Sequence, residues 1–402
     1  MVLDTFLDRV DDAVFAAAVH HLVQSTTTTT APPVVRNDRI DLLRGLAILL
    51  VVIHHLALRI PLGPGPVGAL LPKRIIDGFC FHGYEAVFVF FVISGFLITS
   101  NALTEWGPLA RIGVRAFYSR RFARIVPCLL ALLLVLSVLE LSGAQDYVIR
   151  RPTQSLPGAL AAAGGFYLNW YEGRTGYLPG GWDVLWSLSI EEVFYLGFPI
   201  ACLLLRPQWV LAIALALLGI SLPWTHAALA GNEVWQEKAY LPGMAAIATG
   251  VLAAMLAAIT RPRNPGWNSA LGLLGSVGCL AIFFADDFIW TALRDGELLV
   301  LTLSTACLLV TFRWGQREQA QTQWRATQWL RGLGRRSYEI YLTHMFVIYA
   351  LVRAFHASEA DMKWGVLCYP VAVLVSWALG SVVDRGLSTP CNRWLRKRFA
   401  AQ

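Results

Sequence analysis

Charge is scarce in this chain. Of its 402 residues only 15% are Asp, Glu, Lys or Arg, against about a quarter in ordinary soluble domains. Lysine is nearly missing, with 4 of the 33 cations, so the basic character rests on arginine. The seven cysteines stand apart, with no CxxC pair and no His-rich spacing beside them. That excludes a disulfide framework and a metal site, and leaves cysteine as a small apolar packing residue. No internal repeat and no long polar stretch is present. What fills the chain instead is apolar: 56% hydrophobic residues, 12% aromatic, and a mean hydropathy of +0.55. Apolar runs long enough to cross a bilayer recur from residue 40 to residue 385. The composition excludes a soluble enzyme and a disordered chain, and predicts an all-α polytopic membrane protein.

Ten spans are predicted, at about 40–59, 79–103, 125–142, 187–205, 207–226, 239–259, 267–285, 296–312, 337–355 and 364–384. A further apolar stretch, 156–170, is short, rich in Gly and Ala, and ends in Phe166, Tyr167, Trp170 and Tyr171, which suits a helix lying at the interface. The net charge of +7 need not mean nucleic acid, because the arginines gather in short segments beside the spans. With both termini cytoplasmic, ten spans put 23 of the 33 cations inside, and an eleventh would send the last two basic clusters outside. The expected location is therefore the cytoplasmic membrane, with no nucleic-acid partner and with lipid as the surrounding phase.

Residues 1–35 stand outside this pattern. Leu3, Phe6, Leu7, Val10, Val14 and Ala17 fall on one helical face, with Asp4, Asp8, Asp11 and Asp12 opposite. The early acids and the lack of a cleavage site argue against a signal peptide. An amphipathic helix and a Thr-rich linker are expected here, followed by a membrane domain at 36–385 and a basic tail at 386–402.

Ionisable residues inside spans are costly and face cavities or partners. They fall on four of the predicted helices: Arg44, His54 and His55 on the first, Glu85 on the second, Glu191 and Glu192 on the fourth, Glu339 and His344 on the ninth. That segregation predicts one central polar cavity, with the other helices as scaffold. On the first span Arg44 and His55 are eleven positions apart, so they share a face within about 20° and lie about 16 Å apart along the axis, whereas His54 points about 80° away from Arg44. Asp41 lies within pairing reach of Arg44. On spacing alone two readings stand: a polar column from Arg44 to His55, or a snorkelling arginine and a structural histidine.

The run Leu43-Arg44-Gly45-Leu46-Ala47-Ile48-Leu49-Leu50-Val51-Val52-Ile53-His54-His55 resembles the Arg-ten-residues-His motif of the acyltransferase-3 family of integral-membrane O-acyltransferases. Four more segments resemble that family in order: Phe90 to Thr99 (FFVISGFLIT), Phe117 to Pro127 (FYSRRFARIVP), Trp186 to Tyr195 (WSLSIEEVFY) and Ser337 to His344 (SYEIYLTH). Phe88 stands two positions before the FF pair, where the family often has an acid. The resemblance covers about residues 36–385, and the expectation is a membrane domain without the appended extracytoplasmic hydrolase-like domain of some relatives.

The resemblance implies transfer of an acyl group, commonly acetyl from acetyl-CoA, to a hydroxyl on a glycan, a lipid-linked sugar or a small molecule. Guanidinium groups bind phosphate bidentately and stay charged, so Arg44, Arg120, Arg121 and Arg124 suit the phosphates of coenzyme A. His55 is the expected general base, with Glu191 orienting it or touching the acceptor. Tyr341 and His344 are expected to line the donor passage, and Trp186, Ser189 and Tyr195 the acceptor side. No metal is implied. The competing class is a carrier or flippase for an anionic or lipid-linked substrate, although the repeated halves usual in carriers are not visible.

Overall fold

The computed structural model describes residues 36–260, 264–315 and 325–400, so the expected N-terminal amphipathic helix lies outside the described residues. Those described form helices and turns, with no strand among them. Nine helical stretches of the described residues are long and apolar enough to cross a membrane. The predicted span at 207–226 is broken into α8 (Gln208–Ile220) and α9 (Leu222–Ala227). Pro223 explains the break, since it has no N–H to continue the ladder. The apolar stretch at 156–170 is likewise divided, into α5 (Leu156–Gly164) and α6 (Leu168–Thr175), each too short to span.

The first long helix, α1 (Asp38–Ala57), starts at Asn37, whose side chain accepts from the backbone N–H of Arg39 and Ile40 and donates to the Phe312 carbonyl. One residue thereby caps the helix and ties it to α12 (Glu297–Trp314). After the short α2 (Lys73–Cys80) comes α3 (Gly83–Trp106), and later α10 (Tyr240–Ile259) crosses it. Added Cβ atoms at Gly95 and Gly250 would collide with the backbone of Ile247 and Val92 respectively. These two glycines let the helices meet backbone to backbone, the small-residue packing that membrane helices use when water supplies no driving force. At the periphery, α11 (Pro265–Phe284) exposes Leu273, Leu274, Val277 and Leu280, which makes sense only against lipid.

Two boundaries differ from the sequence reading. The third span begins at Val114, giving α4 (Val114–Leu141), so Arg115, Arg120, Arg121 and Arg124 sit on helix rather than in a loop. Pro127 lies inside α4, where it forfeits one ladder bond without ending the helix. The basic tail is helical: α13 (Gln328–Arg335), α14 (Ser337–Ala357) and α15 (Cys368–Val383) are followed by a π-helical turn at Asp384–Ser388 and then by α16 (Thr389–Ala400), which lies on α4.

Candidate active site

Ionisable groups of α1, α4, α14 and α7 (Leu185–Leu204) gather in two layers, whereas Glu85 of α3, expected in the same cavity, lines a separate pocket with His82, Asp286 and Glu297. At the basic end, Arg44 donates through Nη2 to Ser337 Oγ at 2.7 Å. Asp41 does not hold it, because Asp41 is taken by Arg36 through two bonds of 2.6 and 2.9 Å. Arg121 lies over the Tyr195 ring, 4.2 Å from its centroid, and Arg124 lies 3.9 Å from Glu339. Glu339 is buried and accepts a 2.7 Å bond from Ser388 Oγ at the π turn. Arg120, one step round α4, turns elsewhere: its guanidinium is gripped by Glu105 and rests over Trp106. The structure thus brings Arg44, Arg121 and Arg124 together and leaves Arg120 apart.

At the other end of α1 the two adjacent histidines part company. His54 turns to α2 and α3, where Nδ1 meets the Cys80 carbonyl at 3.1 Å and the ring fills the space beside Gly83. His55 faces inward, 4.9 Å from the ring of His344. Its Nδ1 lies 2.9 Å from the Val51 carbonyl, and His344 Nδ1 lies 2.7 Å from the Tyr341 carbonyl. A carbonyl only accepts, so each Nδ1 carries a proton, and in the neutral ring Nε2 then keeps its lone pair. His344 is fully buried and its Nε2 has no partner. Two imidazoles thus meet edge-on, with neither Nε2 engaged in a hydrogen bond among the described residues.

Between the layers Tyr341 and Ser187 share a 2.8 Å hydrogen bond that joins α14 to α7. Arg44 with Ser337, then Tyr341 with Ser187, then His344 with His55, make a polar column about 16 Å long by the helical rise.

Glu191 belongs to the lower layer. The apolar helical stretch starts at Gly180, seven residues before the span predicted from the sequence, so Glu191 lies eleven residues, about 16 Å, along it. It accepts from Tyr195 Oη at 3.4 Å, Tyr195 bonds Ser94, and the charges of Arg121 and Arg44 bear on it. No contact joins it to His55 among the described residues, and the group that orients His55 is the Val51 carbonyl. Trp186 packs with Tyr84 and Phe91. Ser189 is buried and accepts from the Leu168 N–H, fastening α6 to α7. Of the three residues assigned to the acceptor side, only Tyr195 lies among the ionisable groups.

The surroundings of the His55 end were not legible in the motifs. Arg59 donates to the His55 carbonyl at 2.7 Å and stacks on Tyr349, whose hydroxyl accepts from the Gly180 N–H at 3.0 Å. Nearby, Lys238 is buried between Glu172, at 2.9 Å, and Asp183, and Glu172 also accepts from the Leu178 N–H. Burial, with Asp183 next, holds Glu172 above the ordinary carboxylate range despite Lys238. The one available signal was Lys238 itself, a lone lysine at the edge of an apolar run. Among the described residues no group of three or more His, Cys, Asp or Glu side chains could hold a metal ion.

Residues 37–381 match the family model described as an acyltransferase domain, acyltransferase-3. The peptidoglycan O-acetyltransferase OatA of Listeria monocytogenes is 25% identical over 385 residues, covering 88% of this chain and 55% of that protein. The O-acetyltransferase OatA of Staphylococcus aureus is 23% identical over 383 residues, covering 90% and 58%. The chain thus spans a little over half the length of these curated relatives. No solved structure matches.

Proposed function

The chain belongs to the acyltransferase-3 family, and on that premise we propose that it is a membrane O-acetyltransferase taking acetyl from cytoplasmic acetyl-CoA to a glycan hydroxyl. The observation that carries this reading is the polar column, with guanidinium groups at one end and two unengaged imidazoles at the other. Arg44, Arg121 and Arg124 offer a forked, permanently charged surface for the donor's phosphates. From there an extended pantetheine arm follows Ser337 and Tyr341 and brings the thioester to His55. The acceptor arrives from the opposite mouth, past Arg59, Tyr349 and Asp183.

His55 Nε2 takes the proton of the acceptor hydroxyl as its oxygen attacks the thioester carbonyl. The carbon–sulfur bond breaks as the carbon–oxygen bond forms, and the proton passes from the imidazolium to the departing thiolate. The Val51 carbonyl fixes the tautomer, the task a carboxylate performs in other base assemblies. His344, against the His55 ring, is placed to accept a hydrogen bond from an acceptor hydroxyl through Nε2. Glu191 and Tyr195 serve the donor end, where Glu191 orders the arginines beside it.

The relatives' names support a glycan acceptor, since one of them is a peptidoglycan O-acetyltransferase. The arginine-rich start of α4 and the Arg44 end of α1 support a cytoplasmic placement of that face. The deciding experiment incubates purified, lipid-reconstituted protein with acetyl-CoA and a soluble muropeptide or sugar, with no ion gradient. Formation of an O-acetyl ester and free thiol supports the enzyme. Substrate movement across the vesicle membrane with the thioester intact would replace it with the carrier reading.

A further inference from the structure

The donor column leaves unused the most basic feature of the sequence, the tail. Helix α16 packs through Cys391, Leu395 and Phe399, and exposes Arg393, Arg396, Lys397 and Arg398 together with Trp394. Arg398 stacks on Trp394, 4.6 Å from the ring centroid, and Phe399 meets the exposed Phe122 edge-on at 6.1 Å. No acid occurs in the helix. Cations around an exposed tryptophan mark a helix that rests on a lipid surface.

Between the end of α16 and the start of α4 lies a cavity of about 600 Å³, lined by Arg115, Ala116, Ser119, Arg120, Arg396 and Phe399 among others. Arg120 is balanced by Glu105. Arg115 and Arg396 have no carboxylate partner among the described residues, so the cavity carries uncompensated positive charge. Its position on α4 is informative. Ala116 and Leu134 are eighteen positions apart, as are Arg120 and Val138, and eighteen residues make five whole turns. Leu134 and Val138 are 67% and 57% exposed, so the face that carries the cavity in the inner part of α4 is the lipid-facing face in its outer part. Arg121 and Arg124 point away from it, to Tyr195 and Glu339.

We propose that this cavity is a binding site for the headgroup of an anionic phospholipid, with Arg115 and Arg396 holding its phosphate. Phe399 and Phe122 flank the glycerol region, and the exposed basic face of α16 lies on the same leaflet. A lipid so bound fastens α16 to α4. It thereby supports the π turn whose Ser388 holds Glu339 beneath Arg124.

Native mass spectrometry of the full chain in detergent, with equimolar phosphatidylglycerol and phosphatidylcholine, tests the site. The expected result is one retained phosphatidylglycerol per chain, preferred about tenfold, since each arginine at a lipid surface adds appreciably to anionic-lipid attraction. Arg115→Gln with Arg396→Gln should abolish the preference while acetyl-CoA affinity stays unchanged. Ala116→Phe, which fills the cavity without altering charge, should also displace the lipid. Arg393→Gln with Lys397→Gln, on the exposed face of the same helix, should leave it bound. Undiminished preference in the cavity variants overturns the proposal. So does equal loss in the exposed-face variant, which would make the effect one of general surface charge. A fall in acetyl-CoA affinity with lipid retained would assign the cavity to the donor instead.

Discussion

Replacing the adjacent histidines one at a time separates the proposed chemistry from helix packing. His55→Ala removes the only group on α1 placed to accept the hydroxyl proton, and loss of a positioned general base costs about 10²–10⁴-fold in turnover. Its fold cost is small, because the Val51 carbonyl, freed of His55 Nδ1, remains inside the helical ladder. His54 makes one bond, to the Cys80 carbonyl at 3.1 Å, and fills the space beside Gly83. His54→Asn places an amide N–H near the former Nδ1 and should keep that bond and nearly full activity. His54→Phe loses it, at about 0.5–1.5 kcal/mol of stability, and strains the Gly83 contact, so its effect belongs in protein yield and melting temperature rather than in turnover per folded molecule. The assay is acetyl-ester formation from acetyl-CoA, normalised to monodisperse detergent-extracted protein. A His54→Asn enzyme that is inactive while His55→Ala turns over normally would refute both the register of the column and the base assignment.

Arg44→Ala and Arg121→Ala should each weaken acetyl-CoA binding, measured by calorimetry, and lysine at either position should restore it only in part because the planar fork is lost. Arg120→Ala should change donor affinity less than either, since Glu105 and Trp106 already occupy that guanidinium. Lys238→Met should lower stability by about 3–5 kcal/mol by stranding Glu172 in a buried site, and adding Glu172→Gln should recover part of the loss in a thermal-shift assay. Gly250→Leu should prevent α3 and α10 from closing at Val92 and yield aggregated protein on size exclusion, as overpacking costs about 1–3 kcal/mol even where neighbours are able to shift. Cysteines placed in the 313–336 segment of an otherwise Cys-free variant should react only with membrane-permeant reagents in intact cells. Labelling by an impermeant reagent would overturn the orientation.

The division between site helices and scaffold was legible because it rests on the cost of ionisable groups in lipid. Arg44, His55, Glu191, Glu339 and His344 were visible as exceptions in apolar runs, and the structure gathers them with Arg121 and Arg124 of α4, but Glu85, an exception of the same kind, lies apart beside His82, Asp286 and Glu297. The unequal facing of His54 and His55 was also legible, since helical periodicity alone fixes it. Depth was harder. Hydropathy starts the fourth span where continuous apolar sequence starts, at 187, but the chain enters at Gly180 because Asp183 is neutralised by Lys238 from another helix. That partner lies fifty-five residues away in sequence, and no local window contains it. The error moves Glu191 from the level of His55 to the level of the arginines. Likewise the start of α4 read as a loop, because a window that counts arginines as membrane-averse ends the span at Ile125. Helix geometry has no such aversion, and it continues through the arginines as they pair with Glu105, Tyr195 and Glu339.

These two boundary shifts change the expected chemistry in the same direction. With Arg121 and Arg124 on a helix rather than a loop, their distance from Arg44 is set by backbone packing, and little side-chain entropy is lost when a phosphate arrives. With Glu191 beside them, the lower layer holds two carboxylates, Glu191 and Glu339, among three guanidinium groups, which offsets the repulsion among the arginines in the absence of donor. The upper layer is left with two imidazoles, a hydroxyl pair and backbone carbonyls. In the proposed mechanism a thioester entering that layer meets His55, on which the charges of Arg59 and Asp183 bear. On the proposed reading, the charge that binds the donor and the imidazole that takes the proton are thus separated along α1 by the ten residues between Arg44 and His55.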